Sequence, residues 1–240
     1  IEYKTLETSD FFEMLKRSLL SKCSIMRKYP HIYAFSLRAY YENYPEILHS
    51  ILQEENINRA ILVGMSMGGY SSQHFAAIYP NIVKGLVALD TTPLGVQYYS
   101  KSDLWWLKQV APMAKWFPAT ILRKSMAKSI SETDYSYQKM MSMLKPLSKS
   151  DIIEQMRIAY GKFTHENRNV MFQFPVLILV RDRDSTGKLK AYCKEWAKQT
   201  GYPLHFIKNA KHFANGDNPE QVNFEIQQFI RAINDSEKQP

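Results

Sequence analysis

Short, wholly apolar runs alternate along this chain with stretches whose apolar residues recur every third or fourth position, the pattern of strands interleaved with amphipathic helices. Residues 10–20 read as a helix, with Phe11, Phe12, Leu15 and Leu19 on one face and an Asp10/Glu13 cap. Residues 32–37 read as a strand after Pro30. Pro45 suits the first turn of a helix running to about Gln53. Residues 60–63 form a short buried strand, residues 66–79 a helix stopped by Pro80, and residues 83–89 a further strand. A strand over 176–180 follows Phe174-Pro175; a helix over 188–200 and a strand over 204–208 come next. Asn218-Pro219 opens the last helix, with Asn218 as N-cap and Gln221 completing a box-like cap. Strands apolar on both faces belong to the middle of a parallel sheet covered by helices. The expected class is therefore α/β, a mostly parallel sheet in one domain spanning 1–240. Between residues 94 and 171 no strand is predicted. The helical spacing of Leu104, Leu107, Lys108, Val110 and Ala111 marks that stretch as a helical lid insertion.

Composition narrows the class without changing the architecture. With 45% hydrophobic and 22% charged residues in a chain of 240, there is material for a sizeable core. The net charge of +8 is spread among acids, without the basic runs that track a phosphate backbone, so nucleic acid is not an expected partner. Cys23 and Cys193 are too few and too far apart for a disulfide framework or a zinc site, which points to a reducing, cytoplasmic setting. The longest apolar runs are too short to span a bilayer, and no signal-peptide layout stands near Ile1.

One motif carries chemistry. Gly64-Met65-Ser66-Met67-Gly68 follows the strand Ile61-Leu62-Val63 and leads into the helix that begins Met67-Gly68-Gly69-Tyr70. A glycine-flanked serine on a strand-to-helix turn is a nucleophile elbow. The serine takes a strained positive φ, and side chains at Gly64 and Gly68 are expected to collide with adjacent backbone. Ser66 Oγ then stands at the carboxyl edge of the sheet, and the Met67 amide, at the helix start, faces a developing oxyanion.

A nucleophilic serine needs a base, and the base an orienting acid. Of His31, His49, His74, His165, His205 and His212, only His212 follows the end of a predicted sheet strand. His205 and His74 are expected as packed side chains. For the acid, Asp184 leads, with Asp182 and then Asp90 as alternatives; Asp90 equally suits a cap on the turn Thr91-Thr92-Pro93.

The elbow (residues 61–69), the strand and turn Leu86-Val87-Ala88-Leu89-Asp90-Thr91-Thr92-Pro93-Leu94-Gly95, and the segment Ala210-Lys211-His212-Phe213-Ala214-Asn215-Gly216-Asp217-Asn218-Pro219-Glu220 together resemble the α/β-hydrolase superfamily from about residue 32 to 233. The resemblance implies Ser66 as nucleophile, Asp184 as acid, His212 as base and Met67 as oxyanion donor. It implies a serine hydrolase, carboxylesterase-like, cleaving a small-molecule ester or related acyl bond through an acyl-enzyme, with no metal or cofactor. Trp105, Trp106, Trp116 and Met140 are the lid residues expected to line an acyl pocket. Arg181 and Lys211 stand where the family often has glycine. Residues 36–41 lack the acid and glycines of the family's Asp-x-x-Gly-x-Gly turn, so the His-Gly oxyanion strand is expected at or before Ile1, in an N-terminally incomplete chain. The competing expectation is a non-catalytic or degenerate member acting as a binding protein.

Overall fold

A computed structural model describes residues 44–162, 170–183 and 187–238. They belong to the second of two units into which the chain divides, Ala39–Pro240. The helix expected over 10–20, the strand over 32–37, Cys23, and Asp184 lie outside the described residues.

The sheet is built from β1 (Ala60–Met65), β2 (Val83–Leu89), β3 (Val176–Arg181) and β4 (Leu204–Ile207). They lie in sequence order and every neighbouring pair is parallel. The register sets Met65 opposite Leu89, Leu89 opposite Leu179, and Arg181 opposite Ile207. The carboxyl ends of all four strands therefore finish at one edge, where ligand sites of such sheets form. β3 is buried throughout, and β2 at every position but Lys84. Both are flanked by strands on either side, which explains why their sequences do not alternate.

Alternation along a strand divides these residues between the two faces. Val87, Leu89, Leu177 and Leu179 pack with Val222, Ile226 and Phe229 of the last helix, α9 (Pro219–Ser236). Leu86, Ala88, Ile178 and Val180 turn the other way and are equally buried. Helix α1 (Tyr44–Glu54) packs on α2 (Met67–Ile78), which covers β1 and β2, and α7 (Leu189–Thr200) covers β3 and β4.

β4 departs from the buried pattern. His205 is not packed in the interior; it lies on an exposed face, its Nδ1 2.8 Å from Glu225 Oε2. The cap of α9 also differs in detail. Asn218 Oδ1 accepts the Gln221 N–H at 3.1 Å, as an N-cap should. The Asn218 N–H, however, already donates to Ala214 O of the short helix α8 (Ala214–Asp217). The Gln221 amide is free for another task, accepting from Lys208 N and donating to Phe206 O, each at 2.9 Å. It thereby ties α9 to the end of β4.

Between β2 and β3 come α3 (Lys101–Ala114), α4 (Ala119–Ile130), α5 (Asp134–Leu144) and α6 (Lys149–Arg157), with a π-helical extension over Ile158–Lys162. Ser100, Thr133 and Ser148 cap α3, α5 and α6, the last with a full capping box. These helices enclose a small core of their own, including Ala111, Ala114, Leu122, Leu144, Ile152 and Met156. Among the described residues no helix is long and apolar enough to cross a membrane.

Ile207 closes β4 fully buried against Leu177, Leu179 and Val222. Ile207→Ala is expected to cost about 2–5 kcal/mol through the cavity it leaves, read as a lowered urea midpoint with an unchanged slope.

Candidate active site

The strand-to-helix turn holds Ser66 at the positive φ that its sequence predicts. Ser66 follows β1 with φ 53° and precedes the first residue of α2. Its N–H donates to Leu89 O at 3.0 Å, which extends the β1–β2 ladder by one step and fixes the turn. Such a φ in a residue with a Cβ is strained and persists only where the surroundings enforce it. At Gly64, a Cβ would lie 2.6 Å from Gly68 O and from Gly69 Cα. Backbone cannot give way there, so only glycine fits. The expected collision at Gly68 does not occur, because a Cβ there meets open space. The crowded glycine is Gly69, whose Cβ would come within 2.2 Å of the Thr91 side chain. The helix start thus packs closely on the segment after β2, one residue later than the motif suggests.

His212 reaches the serine from the loop after β4. Its Nε2 lies 2.7 Å from Ser66 Oγ, and its Nδ1 lies 3.1 Å from Asp90 Oδ2. Asp90 is the residue directly after β2, itself at positive φ (48°) and fully buried. The structure therefore brings together Ser66, His212 and Asp90. Asp182 goes elsewhere: its Oδ1 accepts the Ala210 N–H at 3.1 Å. Partial burial pushes the Asp182 carboxyl up, but N–H groups of Asn209 and Ala210 and the Arg183 charge outweigh this and hold it below its ordinary value. Asp182 organises the turn before His212 and does not touch the ring.

A residue that the sequence did not assign to the site joins it. Arg181, the last residue of β3, is 1% exposed. Its N–H donates to Asp90 Oδ1 at 3.0 Å and its Nη1 to Asp90 Oδ2 at 2.9 Å, while the same Nη1 lies 3.0 Å from His212 Nδ1. A guanidinium only donates. Two proton arrangements fit these distances. If Nη1 donates to His212 Nδ1, the ring proton sits on Nε2 and the ring cannot accept from Ser66. If Nδ1–H donates to Asp90, the Nε2 lone pair is free to take the Ser66 proton. Only the second is competent for general-base work.

The surroundings hold this cluster in place. Gln73 of α2 donates through Nε2 to Thr92 O and accepts through Oε1 from Leu94 N, at 2.9 and 3.1 Å. Tyr70 and Tyr99 both bond Thr92 Oγ1, and burial pushes both phenols well above their ordinary range, so they remain neutral. Cys193 Sγ donates to Thr91 O at 3.2 Å, and burial pushes its thiol up, away from nucleophilic use. Asp217, also unassigned from sequence, accepts the N–H groups of Glu132, Thr133 and Lys211. Phe213 N donates to Ile130 O at 2.7 Å. The loop carrying His212 is thus bonded on both sides to the α4–α5 turn.

The expected pocket residues are distributed otherwise. Trp105, Trp106 and Trp116 are exposed, and Met140 packs into the core of the inserted helices. Met67, Tyr70, Tyr98, Leu104, Leu107 and Tyr192 pack against an apolar cluster of Leu94, Tyr99 and Ile158.

A family model described as the alpha/beta hydrolase fold matches residues 24–219. The chain belongs to the α/β-hydrolase family. Among solved structures this hydrolase-fold chain is similar to a thermophilic esterase, with 19% identity, TM-score 0.64, and coverage of 83% of this chain and 76% of that one. It is similar also to 2-hydroxy-6-oxo-6-phenylhexa-2,4-dienoate hydrolase from Rhodococcus sp. strain RHA1, at 12% identity and TM-score 0.63, covering 85% and 75%. A bromoperoxidase from Bacillus anthracis aligns at 17% identity and TM-score 0.60, covering 82% and 77%. At such identities these likenesses speak for the fold alone. No curated protein matches the sequence.

In this α/β-hydrolase chain the buried Asp90–Arg181 pair yields a stability prediction. Arg181→Met strands a buried carboxylate and is expected to cost about 3–5 kcal/mol. The double variant Asp90→Asn/Arg181→Met, which removes both charges, should be less destabilised than that single variant in urea unfolding.

Proposed function

We propose that this chain is a serine hydrolase acting on a small-molecule ester or related acyl bond through an acyl-enzyme, with Ser66 as nucleophile, His212 as base and Asp90 as orienting acid. The observation that carries the reading is the 2.7 Å approach of His212 Nε2 to Ser66 Oγ on a nucleophile elbow. His212 takes the Ser66 proton as Oγ attacks the carbonyl carbon, then returns it to the leaving group; water repeats the sequence to free the acid. The Met67 N–H, in the first turn of α2 where backbone donors lack helical partners, is the oxyanion donor in this scheme. Asp90 takes the place of Asp184 as the favoured acid, because its carboxylate meets the ring.

Arg181 conditions the chemistry. When His212 becomes a cation, its Nδ1–H meets Asp90 Oδ2 while a fixed guanidinium stands 3.0 Å from the same nitrogen. The Asp90 carboxylate is thus shared between the ring and the guanidinium. Leu104 and Leu107, in the cluster beside Met67, favour an apolar acyl group.

Treatment of the purified chain with a fluorophosphonate should add one adduct, located at Ser66 by peptide mass. Ser66→Ala should abolish it, and His212→Ala should slow labelling about 10³-fold or more. Absence of any adduct on chain shown by circular dichroism to be folded would leave a non-catalytic binding protein. With a p-nitrophenyl ester, Asp90→Asn is expected to lower kcat by about 10⁴ and Asp184→Asn by little. The reverse order would restore Asp184 as the acid.

A further inference from the structure

Helix α3 shows two apolar faces. Leu104, Leu107, Ala111 and Ala114, spaced to share one face, turn inward; Ala111 and Ala114 are buried and both leucines partly so. Trp106 and Met113, seven residues apart, share the opposite stripe, and both are more than half exposed. Trp105 is 56% exposed with its ring edge-on to Trp106 at 4.8 Å. The turn that ends the helix continues the surface. Lys115, Trp116 and Phe117 donate backbone N–H groups to Pro112, Met113 and Ala114, and Lys149 Nζ holds the Lys115 carbonyl at 2.6 Å. On that tightly bonded turn Trp116 stands 89% exposed, beside Phe117 at 49% and Ile121 at 51%. Three of the four tryptophans of the chain are thus displayed on one helix and its turn, while the fourth, Trp196, is buried.

The stretch of chain from Leu104 to Ser131 carries charge of one sign. From Leu104 through Ser131 the sequence holds five basic side chains (Lys108, Lys115, Arg123, Lys124 and Lys128) and no acidic one. The interleaving of charges seen across the whole chain does not hold here. Protein interfaces favour arginine and are depleted in lysine, whereas exposed indoles in a stretch that carries lysines and no acids match the headgroup layer of a bilayer. Indole places an apolar body in the acyl boundary with its N–H among headgroups, and lysines meet anionic lipid phosphates.

We propose that the outer face of α3 and the α3–α4 turn dock this chain peripherally on an anionic membrane surface, Trp106, Met113, Trp116 and Phe117 entering the interface and Lys108, Lys115 and Lys124 contacting lipid headgroups. The inner face of the same helix lies in the cluster with Met67, so docking brings the elbow side of the domain toward the lipid. The surface and its test do not depend on Ser66 chemistry.

The test uses the full chain with extruded vesicles of phosphatidylcholine alone or mixed with phosphatidylglycerol. Co-sedimentation is expected with the anionic vesicles only, weakening as salt is raised, together with a blue shift of tryptophan emission. Trp106→Ser/Trp116→Ser should lower the partition constant at least tenfold. Each of Lys108→Gln, Lys115→Gln and Lys124→Gln should lower it about fivefold. These positions are exposed, so circular dichroism and thermal unfolding should not move. Ser66→Ala should bind as well as the parent chain, which separates failure of docking from failure of the hydrolase reading. Absence of anionic-vesicle binding would overturn the proposal, as would binding indifferent to the tryptophan substitutions. Concentration-dependent dimerisation in light scattering, abolished by the same substitutions, would assign the face to a second copy and equally overturn it.

Discussion

The site is organised around one buried carboxylate. Asp90 stands at the end of the central strand β2 with no exposure to solvent, and a charge so placed persists only when paired and hydrogen-bonded. Both its oxygens are engaged. Arg181 supplies a backbone and a side-chain donor from β3, and His212 supplies a ring nitrogen from beyond β4. Satisfying Asp90 therefore requires the ends of three neighbouring strands to be level, which the parallel register provides. Ser66, bonded through its N–H to Leu89 O just before Asp90, completes the alignment from β1.

This dependence explains what could be read from the chain and what could not. The strand over 83–89 and the helices opening near Tyr44, Met67 and Pro219 were legible because periodicity, proline and cap residues are local signals. The strand-to-helix turn at Ser66 was legible because its glycine spacing is a consequence of local backbone geometry: a Cβ at Gly64 would meet backbone only four and five residues on. The partner of His212 was not legible. Asp90, Asp182 and Asp184 all follow strands, and choosing among them needs the distance between strand ends, a tertiary quantity. Arg181 was opaque for the same reason; a basic residue at a strand end carries no sign of which carboxylate it will meet. Asp217 is more than eighty residues from Glu132 in sequence, so nothing local marks it. Trp105, Trp106 and Trp116 lie exposed, which their sequence could not tell: an apolar stripe does not announce whether it faces inward, and α3 carries two.

The arrangement also separates support from chemistry. Thr91 to Leu94 leave β2 and start the chain toward the inserted helices, and the carbonyls of Thr91, Thr92 and Pro93, the Thr92 hydroxyl and the Leu94 N–H are occupied by Cys193, Gln73, Tyr99 or Tyr70. Such a buried, satisfied network rigidifies a single conformation. It allows Ser66 and Asp90 to keep unfavourable φ values without relaxing.

The bonds from Asp217 have a mechanical meaning. One carboxylate holds the backbone of Glu132 and Thr133 on the α4–α5 turn and of Lys211 on the histidine loop, and Phe213 is latched to Ile130 on the far side of the ring-bearing residue. A pull on the α4–α5 turn is therefore carried through these bonds to the loop that holds His212, while α3 takes part in none of them.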